Sequence, residues 1–227
     1  MNSSPGFHIE ILPPAQKKLW PELAVALPAG FVLYGGTAIA LHLGHRTSID
    51  FDFFTDRGLD KKALENALPF AARSTVLQES VDTLTYLVPA STQENNPVKV
   101  SFFASLRFGR VGAPQRTADG VAQIASLEDL LGHKLKVILQ RIEAKDYVDI
   151  AALLKAGIPL EHGLASARAL FGLSFQPAES LKALVYFEGG DLLSLSPGLR
   201  KDLIEATRQV RALPDVKILS SSLAASL

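Results

Sequence analysis

Residues 31–54 read FVLYGGTAIALHLGHRTSIDFDFF and hold the strongest structural signals in the chain. The apolar run at residues 31–34 predicts a buried strand, which ends in a tight turn at Gly35 and Gly36. A helix should follow, with Thr37 as its N-cap residue. The expected order is therefore strand, glycine turn, helix.

A second run, IDFDF at residues 49–53, alternates strictly between apolar and acidic residues. In a strand, this period of two places the large apolar side chains on one face and the carboxylates of Asp50 and Asp52 on the other. Carboxylates at positions i and i+2 are about 6–7 Å apart along a strand, so their oxygens can converge on one hard cation. Mg²⁺ fits this pattern, because it binds few carboxylates and completes its shell with water and phosphate oxygens.

Each motif also has a purely structural explanation. Taken alone, Asp-x-Asp is typical of the solvated face of an amphipathic edge strand, and Gly-Gly is typical of a joint between strand and helix. The combination is more specific, because N–H groups and the dipole at a helix N-terminus favour phosphate, and glycine lets phosphate approach the backbone. The two motifs on successive elements therefore predict a phosphate site beside a metal site.

Composition narrows the classes of function. The 227-residue chain balances 23 Lys and Arg against 23 Asp and Glu, so no overall positive charge draws it onto nucleic acid or an anionic membrane. The chain has no cysteine, which excludes disulfides, thiolate catalysis and thiolate-bound zinc. Its start lacks the regions of a secretion signal, and no apolar run approaches the roughly 20 residues that span a bilayer. We therefore expect a cytoplasmic protein with no membrane partner.

The predicted fold class is α/β (α+β), with a mixed β-sheet lobe over residues 1–120 and an α-helical lobe over residues 121–227. The first lobe is expected to contain a further helix at residues 60–70 and strands at residues 75–80, 84–88 and 98–103. After Ser126 the apolar residues recur at three- and four-residue steps, which is the period of a helix. A Ser/Ala-rich tail, expected to fray, closes the chain.

A polar stripe is predicted in the helical lobe. Its members, seven, four and four residues apart, are Lys134, Arg141, Lys145 and Asp149. On one continuous helix this spacing would place all of them on a single face. Such a stripe could bind phosphates, or it could be a solvated face stabilised by ion pairs. The residues alone leave both interpretations open.

These motifs closely resemble those of the AbiEii/AbiGii toxin family in the nucleotidyltransferase-fold superfamily. The resemblance rests on YGGTAIA at residues 34–40, on GHRTSIDFDFF at residues 44–54, and on the run from Lys134 to Asp149, which is similar to the family's second block. Together the blocks span about residues 31–156. The resemblance implies a nucleotidyltransferase-like sheet lobe followed by the helical lobe.

The resemblance also implies roles for individual residues. The glycine turn would hold a nucleoside triphosphate, while Asp50 and Asp52 would hold Mg²⁺ against its α-phosphate. The nucleotide-binding residues implied in the first lobe are Gly35, Gly36, Thr37, Arg46 and Ser48. The residues implied to contact the nucleotide from the helical lobe are Lys134, Arg141 and Lys145. Asp149, or its neighbour Asp146, would be an added acid.

One departure from the superfamily pattern concerns a third carboxylate. Many nucleotidyltransferases place it on a later strand, often as the base that activates the acceptor hydroxyl, and the matching strand here carries Ser101. Neither Ser101 nor Lys99 can ligate Mg²⁺ as a carboxylate does, so we do not expect a three-acid site holding two metals. The missing group is expected in the helical lobe.

The predicted function is Mg²⁺-dependent transfer of a nucleoside monophosphate from an NTP to an acceptor hydroxyl, with pyrophosphate leaving. Some relatives are toxins of toxin–antitoxin pairs, and some of those modify tRNA, so an RNA acceptor and a cognate antitoxin are the expected partners. Two alternatives remain open. One is a catalytically inactive, nucleotide-binding regulatory module, which Ser101 would favour, and the other is an antibiotic-modifying nucleotidyltransferase.

Overall fold

The computed structural model describes residues 6–90 and 96–226, and the chain divides into two compact units. The first unit runs to Gly109 and includes Ala113–Ala125 and the C-terminal segment from Ser220. The second unit consists of Arg110–Gly112 and Ser126–Leu219. The boundary expected at residue 120 therefore lies within Ala113–Ala125, which belongs to the first unit. The C-terminal segment of the chain belongs to the first unit as well.

A mixed sheet and helices build the first unit. Its helices are α1 (Pro14–Leu19), α2 (Gly35–Leu43) and α3 (Lys61–Ala67), with 3₁₀ segments at Ile9–Ile11, Trp20–Ala26 and Ala71–Arg73. Its strands are β1 (Val32–Tyr34), β2 (Asp50–Phe54), β3 (Thr75–Ser80), β4 (Thr83–Val88), β5 (Val98–Phe103), β6 (Gln115–Arg116) and β7 (Gln123–Ile124). Among the described residues, the strand order is β3-β4-β5-β2-β1-β7-β6. The central strand β2 is parallel to β5 and antiparallel to β1.

The alternating sequence of β2 anchors the centre of this sheet. Phe51 and Phe53 are fully buried, and the ring of Phe53 stacks on that of Phe102 in β5 with 5.4 Å between centroids. The carboxylates of Asp50 and Asp52 occupy the opposite face, where they are only partly buried. Ile49, the third apolar residue of the alternating run, was expected on the buried face. It instead precedes the strand and is 53% exposed.

The glycine turn leads into α2 three residues earlier than the sequence suggested. Helix α2 begins at Gly35 itself, with Tyr34 as the N-cap residue. Gly35 has a φ of +75°, a left-handed conformation that costs glycine little and lets strand pass directly into helix. Thr37 therefore lies inside the first turn, so its assignment as N-cap is wrong. The helix ends at Leu43, and Gly44, in the left-handed conformation, is its C-cap residue.

The second unit is helical. Its helices are α4 (Leu127–Val137), α5 (Ala144–Lys155), α6 (Leu160–Phe171), α7 (Pro177–Val185) and α8 (Pro197–Gln209), with 3₁₀ segments at Gly172–Ser174 and Leu192–Ser194. The sheet followed by helices confirms the predicted fold class. The single helix expected from Lys134 to Asp149 is wrong, because residues 138–143 separate α4 from α5. There the chain leaves the α-helical pattern through bonds of the i to i−3 type, including one from the Gln140 amide to the Val137 carbonyl.

None of these helices, in the part of the chain that the structure describes, has the length and apolar character needed to cross a membrane.

The C-terminal tail is attached rather than frayed through residue 226. Leu223 is completely buried in the first unit, and its amide donates to Oδ1 of Asp56 at 2.8 Å. The Gln123 side chain forms two hydrogen bonds with the backbone of Ala225, one to its carbonyl at 3.0 Å and one from its amide at 2.9 Å. The tail thus adds apolar burial and hydrogen bonds to the first unit. Its bond with Gln123 joins residues that are 102 positions apart in the chain.

We predict that Leu223→Ala lowers the free energy of unfolding by about 2–5 kcal/mol, because it removes a fully buried side chain and leaves a cavity. The matched control is Leu219→Ala, since Leu219 is 60% exposed and should change stability by less than about 0.5 kcal/mol. Urea denaturation of both variants checks this. Equal, small effects would contradict a docked tail.

Candidate active site

The two acids of β2 lie beside the glycine turn. Asp52 pairs in register with Tyr34 of β1, the residue that immediately precedes Gly35. A Cβ added at Gly35 would lie 2.7 Å from Oδ2 of Asp52, so this carboxylate rests directly against the turn. The structure therefore brings together the glycine and acid motifs that the sequence places on separate elements.

Thr37 joins the helix to the acid strand. Its side chain is buried, and its hydroxyl donates to the backbone carbonyl oxygen of Asp50. This bond ties the first turn of α2 to the start of β2, so the turn and Asp50 are held in one position. The hydroxyl proton of Thr37 is therefore engaged in an internal contact.

The neighbouring strand β5 supplies a cation and a hydroxyl to the same face. Lys99 lies opposite Asp50 in the parallel pair, and its Nζ is 3.2 Å from Oδ2 of Asp50. Ser101 lies opposite Asp52 and is buried. Sequence reasoning considered Lys99 only as a residue unable to ligate metal. Its pairing with Asp50 depends on strand register, which no local pattern reveals.

The acid face offers two carboxylates rather than a larger cluster. Within the described residues, no group of three or more His, Cys, Asp or Glu side chains is placed to hold a metal ion. The position where a third acid was sought holds Ser101. Asp50 and Asp52 are the candidate metal ligands on this face, and their number matches the one or two carboxylates that Mg²⁺ typically takes from protein.

Arg46 and Ser48 lie in the connection between α2 and β2 and are partly buried. The Nη1 atom of Arg46 donates to the carbonyl of Thr47 at 2.9 Å, a local contact that shapes this connection. Both residues are thus close in sequence to Asp50, at the end of the sheet where β2 begins.

A second charged cluster is buried in the helical unit. The ammonium of Lys134 lies 2.6 Å from Oδ1 of Asp146 and 2.7 Å from Oδ2 of Asp149. The Lys134 side chain is only 6% exposed, and both carboxylates are fully buried. Arg141 adds two bonds to Asp146, from Nε at 2.8 Å and from Nη2 at 3.0 Å. These residues meet although they lie on two helices and the loop between them.

The charges of this cluster compensate its burial. Burial alone would raise the pKa of Asp146, but the hydrogen bond from Arg141 and the charge of Lys134 outweigh it and hold the pKa below its ordinary value. Lys145 pairs with Glu143 instead: its Nζ lies 2.7 Å from Oε2 of Glu143, which is also 3.7 Å from Nε of Arg141, and the Lys145 side chain is half-exposed. The predicted stripe therefore differs from the structure in its third member, Lys145, as well as in its single helix.

The sequence matches a known family over most of its length. A family model described as nucleotidyl transferase AbiEii toxin, type IV toxin–antitoxin system, covers residues 22–215. The chain belongs to this family. Membership confirms the resemblance seen in the motifs and makes the chain a nucleotidyltransferase of the toxin type, which implies a nucleotide substrate and an antitoxin partner.

Two similar proteins accompany this AbiEii-family match. An uncharacterized protein of Aquifex aeolicus (strain VF5) is 32% identical over 165 residues, which are 70% of this chain and 74% of that protein. A crystal structure from H. pylori, described as that of a nucleotidyltransferase, has a TM-score of 0.56 and 22% identity, and the match covers 85% of this chain and 90% of that one. This second likeness shows the fold.

For the glycine turn, we predict that Gly35→Ala reduces stability and nucleotide binding together. An L-residue in a left-handed conformation costs about 1–2 kcal/mol, and the new Cβ would displace the Asp52 carboxylate. Gly44→Ala, at the other end of α2, has a similar φ of +62° but meets only His8, at 3.3 Å. It should lose similar stability and retain affinity for Mg²⁺ and NTP. Denaturation and calorimetry compare the two, and equal affinities would show that the Gly35–Asp52 contact is not needed for binding.

We predict that Lys134→Met lowers the free energy of unfolding by about 3–5 kcal/mol, because it removes the cation that lies 2.6 and 2.7 Å from two buried carboxylates, while Arg141 stays bonded to Asp146. Lys145→Met, which breaks an exposed pair, should cost less than about 1 kcal/mol. The helical circular dichroism signal in urea reports both values.

The same comparison has an expected pH dependence. Because the pKa of Asp146 is lowered on folding, its stabilisation is fully present above the ordinary value of 3.8 and is lost as pH falls through the folded-state pKa. Without the charge of Lys134 the pKa of Asp146 rises, so the variant loses less stability in acid than wild type does. The gap between wild type and Lys134→Met should therefore narrow in acid. A gap that widens there would contradict the buried ion pairs.

Proposed function

We propose that this chain transfers a nucleoside monophosphate from an NTP to an acceptor hydroxyl, using Mg²⁺ bound by Asp50 and Asp52. The observation that carries this proposal is the contact between the Asp52 carboxylate and the Gly35 turn. It puts two oxygen donors for a hard cation next to a helix N-terminus, which attracts phosphate. Family membership supports the reaction class.

The acid pair has the right donors for its proposed ion. Asp50 and Asp52 project from one face of a strand whose other face is held in the core by Phe51 and Phe53, so the backbone positions that carry the two carboxylates are fixed before any ion binds. When bound, Mg²⁺ would neutralise charge on the phosphate oxygens and orient the α-phosphate for attack. Catalysis would then depend on positioning and charge, as is general for phosphoryl transfer.

The turn would hold phosphate through its backbone. The hydroxyl of Thr37 already donates to the Asp50 carbonyl, so we assign the phosphate contacts to the N–H groups of Gly36 and Thr37 at the start of α2. Gly35 would contribute by letting Asp52 lie against the turn. We retain Arg46 and Ser48 as proposed nucleotide contacts from the connection that follows.

The buried cluster of the helical unit refines the other assignments. Asp146 accepts bonds from both Lys134 and Arg141, so we propose that it is the acid that positions them. Asp149 is then the proposed acid for activating the acceptor hydroxyl, with Lys134 as its charged partner. Arg141 and Lys145, whose side chains are half-exposed, are the proposed nucleotide contacts of this unit.

The identity of the acceptor and of the protein partner is a further part of this proposal. We propose a cytoplasmic toxin that modifies RNA, with tRNA as the first candidate acceptor, and whose activity is restrained by a cognate antitoxin. The second candidate is a nucleotide-binding module without turnover, which is favoured by the buried hydroxyl of Ser101 at the place where a third acid was sought.

The experiment that separates these candidates incubates the protein with each of the four NTPs, labelled at the α-phosphate, together with Mg²⁺ and total cellular RNA. Transfer predicts label in RNA, and Asp149→Asn should lower turnover more than NTP affinity. Tight binding of Mg²⁺ and NTP without label in RNA, protein or small molecules would favour the module.

We predict that Mg²⁺ strengthens NTP binding by roughly tenfold or more, about 1.4 kcal/mol, and that Asp52→Asn abolishes the enhancement without unfolding the protein. The carboxamide keeps the shape but loses the charge that holds the cation. Glu79→Gln, on the exposed strand β3, is the matched control and should bind as wild type does. If Mg²⁺ leaves the wild-type affinity for all four NTPs unchanged, the metal assignment fails.

A further inference from the structure

The pairing of Lys99 with Asp50 places a cation inside the acid face of β2. The ammonium lies 3.2 Å from Oδ2 of Asp50, and the Lys99 and Asp50 side chains are 41% and 31% exposed. The bond is fixed by register, because the two residues lie opposite each other in the parallel pair of β2 and β5. Lys99 is thus held beside one of the two proposed metal ligands.

The charges on this face differ from those of a three-acid site. Three carboxylates carry a formal charge of −3, whereas the two acids here, offset by Lys99, carry −1. A face with so little negative charge suits one divalent ion rather than two. In that setting the ammonium compensates Asp50 when no metal is present.

We propose that Lys99 is a built-in competitor of the divalent cation for Asp50, so that it sets the metal affinity and makes metal binding depend on the nucleotide. This inference rests on the proposed function, since it takes Asp50 and Asp52 as the metal ligands. Lys99 occupies Oδ2 of Asp50, one of the oxygens that could ligate the metal, and its positive charge repels a second cation, so metal entry competes with the ion pair. The metal alone therefore binds weakly.

The nucleotide relieves this competition. The released ammonium is on a partly exposed side chain, and phosphate oxygens that bind at the glycine turn beside Asp52 give it a new partner. Metal and nucleotide consequently strengthen each other's binding, and the coupling is reciprocal by linkage. Lys99 acts as a positioning residue that links occupancy of the metal site to occupancy of the phosphate site.

The test measures binding of Mn²⁺ alone, by electron paramagnetic resonance or calorimetry, with no nucleotide present. Lys99→Met should tighten the Mn²⁺ dissociation constant about 5- to 30-fold, because it removes both a competing pair and a like charge. Lys99→Arg, which keeps the charge, should stay within about threefold of wild type. With a non-hydrolysable NTP, the mutual enhancement should be smaller in Lys99→Met than in wild type.

The matched control is Lys61→Met. Lys61 forms an ion pair of similar length with Glu79, 3.0 Å, elsewhere in the same unit, and its loss changes the net charge of the protein equally. Its Mn²⁺ affinity should remain within about twofold of wild type, because its charge is distant and screened. Metal affinity that rises equally in both variants would reduce the effect to net charge and overturn the inference.

The outcomes separate this inference from the proposed function. If wild type binds Mn²⁺ and Lys99→Met binds it no more tightly, the competition is refuted while the metal site stands. If Mn²⁺ binds neither protein with or without NTP, the metal site falls and the inference falls with it. Circular dichroism on each variant establishes that it is folded.

Discussion

The carboxylate of Asp52 lies against the backbone of Gly35, where a Cβ would come within 2.7 Å of its Oδ2. Glycine is required here for two reasons: a Cβ would clash with the carboxylate, and the residue has a φ of +75°. The turn can therefore lie against the acid strand only when residue 35 is glycine. Thr37 then bonds to the Asp50 carbonyl and Phe53 fixes the strand in the core, so helix, turn and acids form one rigid assembly.

The two units use charge differently. In the first, Asp50 and Lys99 are partly exposed, so their attraction is screened and an incoming cation can replace it. In the second, Lys134 and Asp146 are buried, where removing one partner costs far more than the pair contributes. The first arrangement suits a site that exchanges ions, and the second holds the proposed acid Asp149 and its partner Lys134 in fixed positions. Variants of the buried cluster must therefore be checked for folding before activity is compared.

The sequence predicted those elements that depend on residues close to one another in the chain. The alternation of β2 and the apolar run before Gly35 gave the acid strand, the glycine turn and the mixed fold. Long-range pairing was not predictable, and so the Lys99–Asp50 bond and the burial of Leu223 were missed. The single helix in the second unit was wrong because Ile142 repeats the apolar spacing although it is exposed and outside any helix.

The most direct test of this account is a crystal structure with Mn²⁺ and a non-hydrolysable NTP, in which anomalous scattering locates the metal. The account predicts a Mn²⁺ peak ligated by Asp50 and Asp52, with triphosphate oxygens against the N–H groups that follow Gly35. A metal bound away from the two aspartates, or a nucleotide whose phosphates do not reach the glycine turn, would contradict it.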